Sequence, residues 1–168
     1  DPFNKGGLFV AATRYKLGDY QPYLYHTTDY GKSWKLITNG IPAGHFTRVI
    51  RADQHQKGLL YCGTEFGLYL SKDNGKNWES FQLNLPSVPI TDLALKDNDL
   101  IVATQGRSFW ILDDLNVVWD EIEQATKEDQ LRLFSVHPTV GYGGGSGKSS
   151  DLYGTNHPDG VTFYFNLP

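Results

Sequence analysis

Two aspartates, Asp29 and Asp73, stand 44 residues apart in the same pattern, Ser/Thr-x-Asp-x-Gly-x-x-Trp. A pair of carboxylates can carry out glycoside hydrolysis as acid and base or nucleophile, but only where both enter one cleft. A regular repeat places its aspartates at equivalent points of separate units, so we interpret both as structural. A short carboxylate where a hairpin reverses can accept hydrogen bonds from the N–H groups of the turn.

The other residues of the repeated pattern also suit a turn. Glycine supplies a positive φ, the hydroxyl joins the hydrogen-bond network, and tryptophan buries a large surface against neighbouring strands. We therefore predict that both tryptophans are mostly buried and that both aspartates accept backbone hydrogen bonds within their own turns. A calcium site is not predicted, because neither copy has the several oxygen ligands and late glutamate of an EF-hand loop. The structural residues are Thr27, Asp29, Gly31 and Trp34 in the first copy and Ser71, Asp73, Gly75 and Trp78 in the second.

Three arginines are candidates for ligand binding. Arg48 and Arg51 belong to the alternating run Phe46–Arg51, and Arg107 follows a glycine in a predicted loop. A planar guanidinium can bind a carboxylate or a sugar acid through paired hydrogen bonds. The alternative is that these arginines form ordinary salt bridges between neighbouring structural units.

Glu65 is the candidate for catalysis, because it follows the apolar run Leu60–Thr64 at a loop. Buried there, it could act as a general acid; the alternative is a solvated or hydrogen-bonded loop residue. The other loop acids, Asp19 and Asp53, form no recognisable pair with it. We therefore expect that this chain alone hydrolyses no common glycoside. A catalytic pair outside this chain stays an alternative.

The first repeat carries an insertion, Arg14–Pro22, relative to the second. Within it, Tyr15 and Tyr20 could stack on sugar rings, and Asp19 could bind sugar hydroxyls through two hydrogen bonds. The alternative is a plain long hairpin loop. The predicted ligand-binding residues are therefore Tyr15, Asp19, Arg48, Arg51 and Arg107.

Short β-branched or aromatic runs, bounded by glycine or aspartate, must position these residues, and they predict β-strands. The predicted strands are Phe9–Thr13, Phe46–Arg51, Leu59–Thr64, Ile90–Leu95 and Leu100–Thr104. Four antiparallel strands in about 44 residues are typical of a propeller blade. We predict an all-β fold of about three four-stranded blades with one short helix. The first blade lacks its innermost strand.

The region after the second repeat is more ambiguous. Asp114, Asn116 and Trp119 keep the spacing of the pattern without its hydroxyl, so they are either a degenerate third copy or a coincidence at the start of a helix. A helix is predicted over Val117–Lys127, with Asn116 as its cap. The alternation in Gly160–Leu167 predicts one more strand.

The predicted domain organisation has three parts. A partial propeller covers residues 1–140, a Gly/Ser-rich linker covers 141–157, and residues 158–168 hold a strand that opens a following domain. The chain starts at Asp1 without a signal peptide and contains no methionine, so we expect a piece of a longer protein.

The composition excludes several classes of protein. The 168 residues are 39% hydrophobic, 14% aromatic and 20% charged, which is too aromatic and too weakly charged for a disordered chain. The net charge of −4 gives no basic excess for binding nucleic acid or an anionic membrane. No apolar run approaches the roughly 18 residues that would span a bilayer.

Three further patterns fail as functional sites. The run Gly143–Ser149 resembles a phosphate loop, but Tyr142 stands where its first glycine is required. The five histidines lack metal-ligand spacing, and the single cysteine, Cys62, lies in a predicted strand as a buried, inert thiol. The sequence therefore predicts no metal and no cofactor.

The repeated motifs, together with the phrase Ala103–Asp114, resemble the secreted bacterial Asp-box (BNR-repeat) β-propellers that are described as sortilin-like or glycosyl-hydrolase-like. The resemblance covers roughly residues 1–115, and the tail Pro158–Leu167 is similar to the strand that opens an immunoglobulin-like domain. Family members usually carry histidine where this chain has Gln105, which leaves no proton-transfer role at that position.

The resemblance implies a secreted or cell-surface protein with a larger propeller of about seven to ten blades. It implies a scaffold that binds a glycan or a protein; the alternative is part of a sialidase- or glucanase-like glycoside hydrolase. An incomplete ring leaves apolar faces on its first and last blades. We expect these faces to meet either the remaining blades or a second copy of the chain. The alternative is that the tail, residues 131–137 or 160–167, folds back to fill the gap.

Overall fold

The computed structural model describes residues 1–123, 131–136, 138 and 160–167. The chain divides into two compact units, Asp1–Leu112 and Asp113–Pro168. The predicted linker at 141–157 lies outside the described residues.

The first unit consists of three antiparallel sheets that follow one another along the chain. The first sheet contains β1 (Leu8–Arg14), β2 (Asp19–Thr27) and β3 (Lys35–Leu36). The second sheet contains β4 (Thr47–Ala52), β5 (Leu60–Thr64), β6 (Gly67–Ser71) and β7 (Glu79–Ser80). The third sheet contains β8 (Ile90–Lys96), β9 (Asp99–Thr104) and β10 (Phe109–Leu112). A short 3-10 helix, Tyr15–Leu17, joins β1 to β2.

The three sheets are β-propeller blades. In the second blade the strands are ordered β4-β5-β6-β7, and β4 packs against β1 on one side and β8 on the other. The first blade lacks the strand equivalent to β4, as predicted, and β1 is therefore the edge of its sheet. The five strands predicted between Phe9 and Thr104 are all present, to within one residue at each end.

The second blade is buried on both faces, since blades lie on either side of it. Every residue of β5 and β6 is buried, which explains why their sequences do not alternate. Gly63 in β5 has no room for a side chain: a Cβ there would lie 2.6 Å from Ile90 Cγ2 and 2.7 Å from Val49 Cγ1. The absence of a side chain lets the inner strands of two blades approach each other.

A buried hydroxyl joins the first two blades. Thr47 Oγ1 lies 3.1 Å from Ala12 O and 2.9 Å from Tyr23 O, and it accepts a hydrogen bond from Tyr23 N at 3.1 Å. The apolar core between these blades contains Leu24, Ile37, Ile41, Ile50, Leu60, Cys62, Tyr69 and Trp78.

Residues 27–34 form the first Asp turn. The Asp29 carboxylate accepts hydrogen bonds from Ser33 N at 2.9 Å, Ser33 Oγ at 2.6 Å and Thr27 Oγ1 at 2.8 Å. Thr27 Oγ1 in turn accepts the N–H of Gly31. The hydrogen bonds from the Ser33 side chain, then from its backbone N–H and from Thr27, lower the pKa of Asp29 to about 2.

Residues 71–78 form the second Asp turn, which has the same network. Asp73 accepts hydrogen bonds from Asn77 N at 2.8 Å, Asn77 Nδ2 at 2.7 Å and Ser71 Oγ at 2.9 Å, while Gly75 N donates to Ser71 Oγ. Burial opposes ionisation here, but the hydrogen bonds from Asn77 and Ser71 prevail and lower the pKa of Asp73. Both aspartates thus accept turn hydrogen bonds, as predicted.

The two tryptophans of these turns differ in burial. Trp78 is 5% exposed and donates its indole N–H to Ile37 O, in the preceding blade, at 2.7 Å. Trp34 is 45% exposed, so the prediction that it is mostly buried was wrong. The physical reason is that burial of the tryptophan at this position of the motif requires a blade before its own, such as the one on which Trp78 packs. Among the described residues no blade lies there, and the Trp34 indole donates to Gly31 O of its own turn instead.

Both outer blades of the first unit expose apolar side chains, as expected for blades at the ends of an array. Leu8 and Leu36 are exposed in the first blade, and Phe109 and Ile111 are exposed on β10.

The second unit contains α1 (Asn116–Glu123) and the short strands β11 (Arg132–Leu133) and β12 (Phe165–Asn166), which pair antiparallel. Trp119 lies within α1, which confirms the helix-start interpretation over a third hairpin. The predicted residues 124–127 of this helix lie outside the described residues.

Asn116 donates its side-chain amide to Ser135 O at 2.6 Å. Of the predicted strand Gly160–Leu167, the structure forms Phe165–Asn166 as β12, and the ladder of β12 with β11 is two residues long. Among the described residues, no helix has the length and apolar character to cross a bilayer.

Replacing Asp73 by alanine should lower the free energy of unfolding by about 1–3 kcal/mol at neutral pH, because Asn77 and Ser71 lose hydrogen bonds to a charged acceptor. The loss should shrink as the pH falls below about 4, since a carboxyl with a lowered folded-state pKa stabilises the fold only while ionised. Urea denaturation of the wild type and the variant, at neutral pH and below about pH 4, measures this loss of stability. Glu79→Ala, at an exposed surface ion pair, is the control and should change little.

Replacing Gly40 by alanine should destabilise the interface between the first two blades. Gly40 has φ 97°, and a Cβ there would lie only 2.1 Å from Trp78 O. Gly44→Ala is a matched control, because Gly44 has φ 91° and no atom within 4 Å of the added carbon. Both variants place alanine at a positive φ and incur the same backbone strain, so thermal unfolding should show a clearly larger loss of stability for Gly40→Ala. Equal losses would mean that the close approach contributes nothing.

Candidate functional site

The two ends of the first unit are distinct. At one end, which we call the loop end, lie the β1–β2, β5–β6 and β9–β10 turns; Glu65 N donates to Phe46 O and Gln105 N to Pro89 O. The Asp turns lie at the opposite end, where Asn74 N donates to Gly58 O in the β4–β5 turn. The Asp turns are therefore remote from the loop end.

The loop end contains an open cleft of about 430 Å³. It is lined by Thr13, Arg14, Tyr15, Lys16, Leu17, Arg48 and Thr91. Three of these residues, Thr13, Arg48 and Thr91, stand where the strand pairing shifts register. A β-bulge turns a side chain out of the regular alternation. The bulges therefore bring side chains of three blades to one cleft.

Aromatic rings form one wall beside the cleft. Tyr15 stacks on Phe46 with ring centroids 5.0 Å apart, and Tyr20 lies tilted against Phe46 at 6.1 Å. The Arg48 guanidinium lies over both stacked rings, 5.8 Å from the Tyr15 centroid and 5.2 Å from the Phe46 centroid. The insertion predicted from the first repeat thus contributes a ring that is fixed by packing.

Arg48 and Glu65, predicted separately, form one ion pair. Glu65 Oε2 accepts hydrogen bonds from Arg48 Nε at 2.8 Å and from Nη2 at 2.5 Å. The two side chains are 22% and 25% exposed. Both residues belong to the second blade, so the pair lies within one blade and not between blades. It presents a guanidinium and a carboxylate together at the loop end.

Asp19 holds the insertion in shape. Its carboxylate accepts hydrogen bonds from Tyr23 Oη at 2.8 Å and from Gln21 N at 3.1 Å, and it lies 3.2 Å from Arg14 Nη1. The Tyr23 hydrogen bond, followed by the Gln21 N–H, lowers the pKa of Asp19. Asp19 does not line the cleft, but it positions Arg14, which does.

Like Asp19, two other predicted ligand-binding residues do not line the cleft. Arg51 donates to Asp92 Oδ1 at 2.6 Å, so it forms the predicted alternative, a salt bridge between neighbouring blades. Arg107 lies exposed in the β9–β10 turn at the loop end, and it is not among the lining residues.

Sequence reasoning missed five residues of the cleft: Thr13, Arg14, Lys16, Leu17 and Thr91. Thr91 could have been found by alignment of the repeats, because it stands close to the position that Arg48 holds one blade earlier. The register shifts that turn these side chains into the cleft leave no signal in residue type.

The described residues contain no group of three side chains that could hold a metal ion. His26 is buried, and burial lowers the pKa of its imidazole; its Nε2 lies 3.7 Å from Asp1 Oδ2 without a hydrogen bond. Cys62 is fully buried, as predicted, and burial raises the pKa of its thiol, which suits an inert residue. His137 and His157 lie outside the described residues.

No family model matches the chain. A stretch of 65 residues is 37% identical to the probable oligoxyloglucan-reducing end-specific xyloglucanase of Neosartorya fischeri. The match covers 33% of this chain and 8% of that protein, so this chain corresponds to a small part of its relative.

The crystal structure of an ancestral GH74 enzyme is similar in fold, with a TM-score of 0.52 and 20% identity over 64% of this chain and 13% of that one. YCF48 from Cyanidioschyzon merolae has a TM-score of 0.45 and 15% identity, over 65% of this chain and 38% of that one. A similarity of that degree supports no conclusion about this chain. The chain thus shares the β-propeller fold of the GH74 enzyme.

The Arg48–Glu65 pair should show a coupling free energy of about 0.5–1 kcal/mol in a double-mutant cycle, because both bonds are short and the side chains are three-quarters buried. The cycle compares Arg48→Met, Glu65→Gln and the double variant by urea denaturation. The same cycle on Arg51 and Asp92, which are 44% and 63% exposed, is the control and should give less. A larger coupling for the exposed pair would contradict our assignment.

Proposed function

We propose that this chain is part of an Asp-box β-propeller related to glycoside hydrolases and that its loop-end cleft binds a carbohydrate. The observation that carries the proposal is the Tyr15 ring, stacked on Phe46 and held beside the Arg48–Glu65 pair. An aromatic face packs against the C–H face of a sugar ring, and a few fixed polar groups orient its hydroxyls. Both kinds of group stand together at this cleft.

The charge of the cleft favours an acidic saccharide. Arg14, Lys16 and Arg48 line it, and no carboxylate is among its lining residues. Asp19 and Glu65, which are not among the lining residues, pair with Arg14 and Arg48. A uronate carboxylate entering the cleft would meet guanidinium groups whose orientation is already fixed.

The assignment to the Asp-box class is supported by the two Asp turns. In both, a hydroxyl residue, an aspartate and a glycine make the same hydrogen bonds at the same spacing. The secreted or cell-surface location that this class implies is part of the proposal.

The second candidate function is glycoside hydrolysis, which is favoured by the 65-residue stretch that is 37% identical to the probable xyloglucanase. A glycosidase needs two carboxyl groups about 5–9.5 Å apart in one cleft. Here the Glu65 carboxylate is hydrogen-bonded to Arg48, and the Asp19 carboxylate is hydrogen-bonded to Tyr23. The Asp53 side chain is 1% exposed and accepts hydrogen bonds from N–H groups of its own turn. We therefore place binding in this segment and assign catalysis, in this second case, to carboxylates elsewhere in the protein.

Calorimetric titration with oligosaccharides of equal length tests the binding proposal. A uronate-bearing oligosaccharide should bind more tightly than a neutral xyloglucan oligosaccharide, and the difference should fall as salt rises. Tyr15→Ala should weaken binding by about tenfold, since loss of an aromatic contact costs on the order of 1–2 kcal/mol. Tyr30→Ala is the matched control, because Tyr30 is 78% exposed in an Asp turn at the opposite end.

Two results would contradict the binding proposal. One is an absence of binding to every saccharide, and the other is equal affinity in the wild type and Tyr15→Ala. Release of reducing sugar by the wild type that is abolished in Glu65→Gln would instead favour the hydrolase.

A further inference from the structure

The second Asp turn is docked on a segment of the preceding blade, residues 37–40. Trp78 donates its indole N–H to Ile37 O at 2.7 Å and its backbone N–H to Asn39 O at 2.9 Å. Asn39 Nδ2 donates to Asn77 Oδ1 at 2.7 Å. These three bonds join one turn to one four-residue segment, Ile-x-Asn-Gly.

Two glycines make this docking possible. A Cβ on Gly75 would lie 2.6 Å from Ile37 Cδ1, so the isoleucine side chain rests directly on the backbone of the turn. A Cβ on Gly40 would lie 2.1 Å from Trp78 O, so the segment needs glycine at its fourth position. The docked segment is therefore defined by its apolar first residue, its asparagine and its glycine.

The first Asp turn has the same backbone, but no such segment lies on it among the residues that the structure describes. Tyr30 and Gly31 have φ values of 60° and 81°, and Asn74 and Gly75 have 62° and 81°. Trp34 is folded back over its own turn, with Cζ2 3.6 Å from where a Gly31 Cβ would be. Its ring thus covers the glycine that Ile37 covers in the second turn.

We propose that the face formed by Gly31, Trp34 and Leu36 is a docking site for another propeller blade, one that presents an Ile-x-Asn-Gly segment after its outermost strand. On docking, the apolar residue of that segment replaces the Trp34 ring on Gly31. The Trp34 indole N–H then leaves Gly31 O for the carbonyl of that residue, as in Trp78. Trp34 changes from exposed to buried.

The chain's own sequence argues against a second copy as the occupant. The segment 44 residues after Ile37–Gly40 has Phe81, Leu83 and Asn84 at the three defining positions. Asn84 has a Cβ where the docked backbone leaves no space, and Leu83 lacks the amide of Asn39. The only described segment of the right type, residues 37–40, is already occupied by Trp78 of its own chain.

The test supplies the missing segment in tandem. A second copy of Lys35–Pro42 is joined ahead of Asp1 through about 15 Gly/Ser residues, which span on the order of 20 Å and hold the segment at an effective concentration near millimolar. The same fusion with Gly40→Val in the added copy is the matched control. The signal of Trp34 is isolated by subtracting the fluorescence of each protein with Trp34→Phe.

We expect the Trp34 emission to shift to shorter wavelength and to lose most of its quenching by acrylamide in the first fusion, but not in the glycine-to-valine control. Protection of Trp34 from acrylamide in both fusions, or in neither, would overturn the proposal. Dimers of the unfused chain in light scattering, lost in Trp34→Ala, would also overturn it by showing a second copy as the occupant. Because Trp34 is already exposed, Trp34→Ala should leave the fold intact.

Discussion

The contact between Trp78 and the backbone of residues 37–40 determines how one blade stacks on the next. It joins an indole and a backbone N–H to two carbonyl groups, and it needs glycine at two positions because the chains approach so closely. A contact this specific sets both the distance and the rotation between adjacent sheets. The hydroxyl of Thr47, which meets the backbone of β1 and β2, fixes the same interface near the inner strand.

The cleft at the loop end depends on that stacking. Thr13, Arg48 and Thr91 come from three different blades, and they reach one cleft only because the inner ends of the blades are held side by side. Each residue stands at a register shift in its own sheet. The fold thus separates its tasks: regular pairing and buried glycines build the stack, while local irregularities direct side chains to solvent.

Most of the fold could be predicted from the sequence, because its determinants are local. Runs such as Leu60–Thr64 and the repeated turn at Asp73 specify strand and reversal without reference to the rest of the chain. The burial of Trp34 could not be predicted in the same way, because it depends on a neighbouring blade and not on residues nearby in sequence. Arg48 and Glu65 were both recognised as candidates, yet their pairing depends on a bulge that residue types do not specify.

The direction of the contact made by Trp78 bears on how the chain acquires its structure. The indole reaches back 41 residues, to a segment that is synthesised earlier. Each blade also consists of hairpins between strands adjacent in the chain, so it can form before its neighbour exists. A blade leaving the ribosome therefore finds its docking surface already made, and the stack can grow from the amino terminus, one blade at a time.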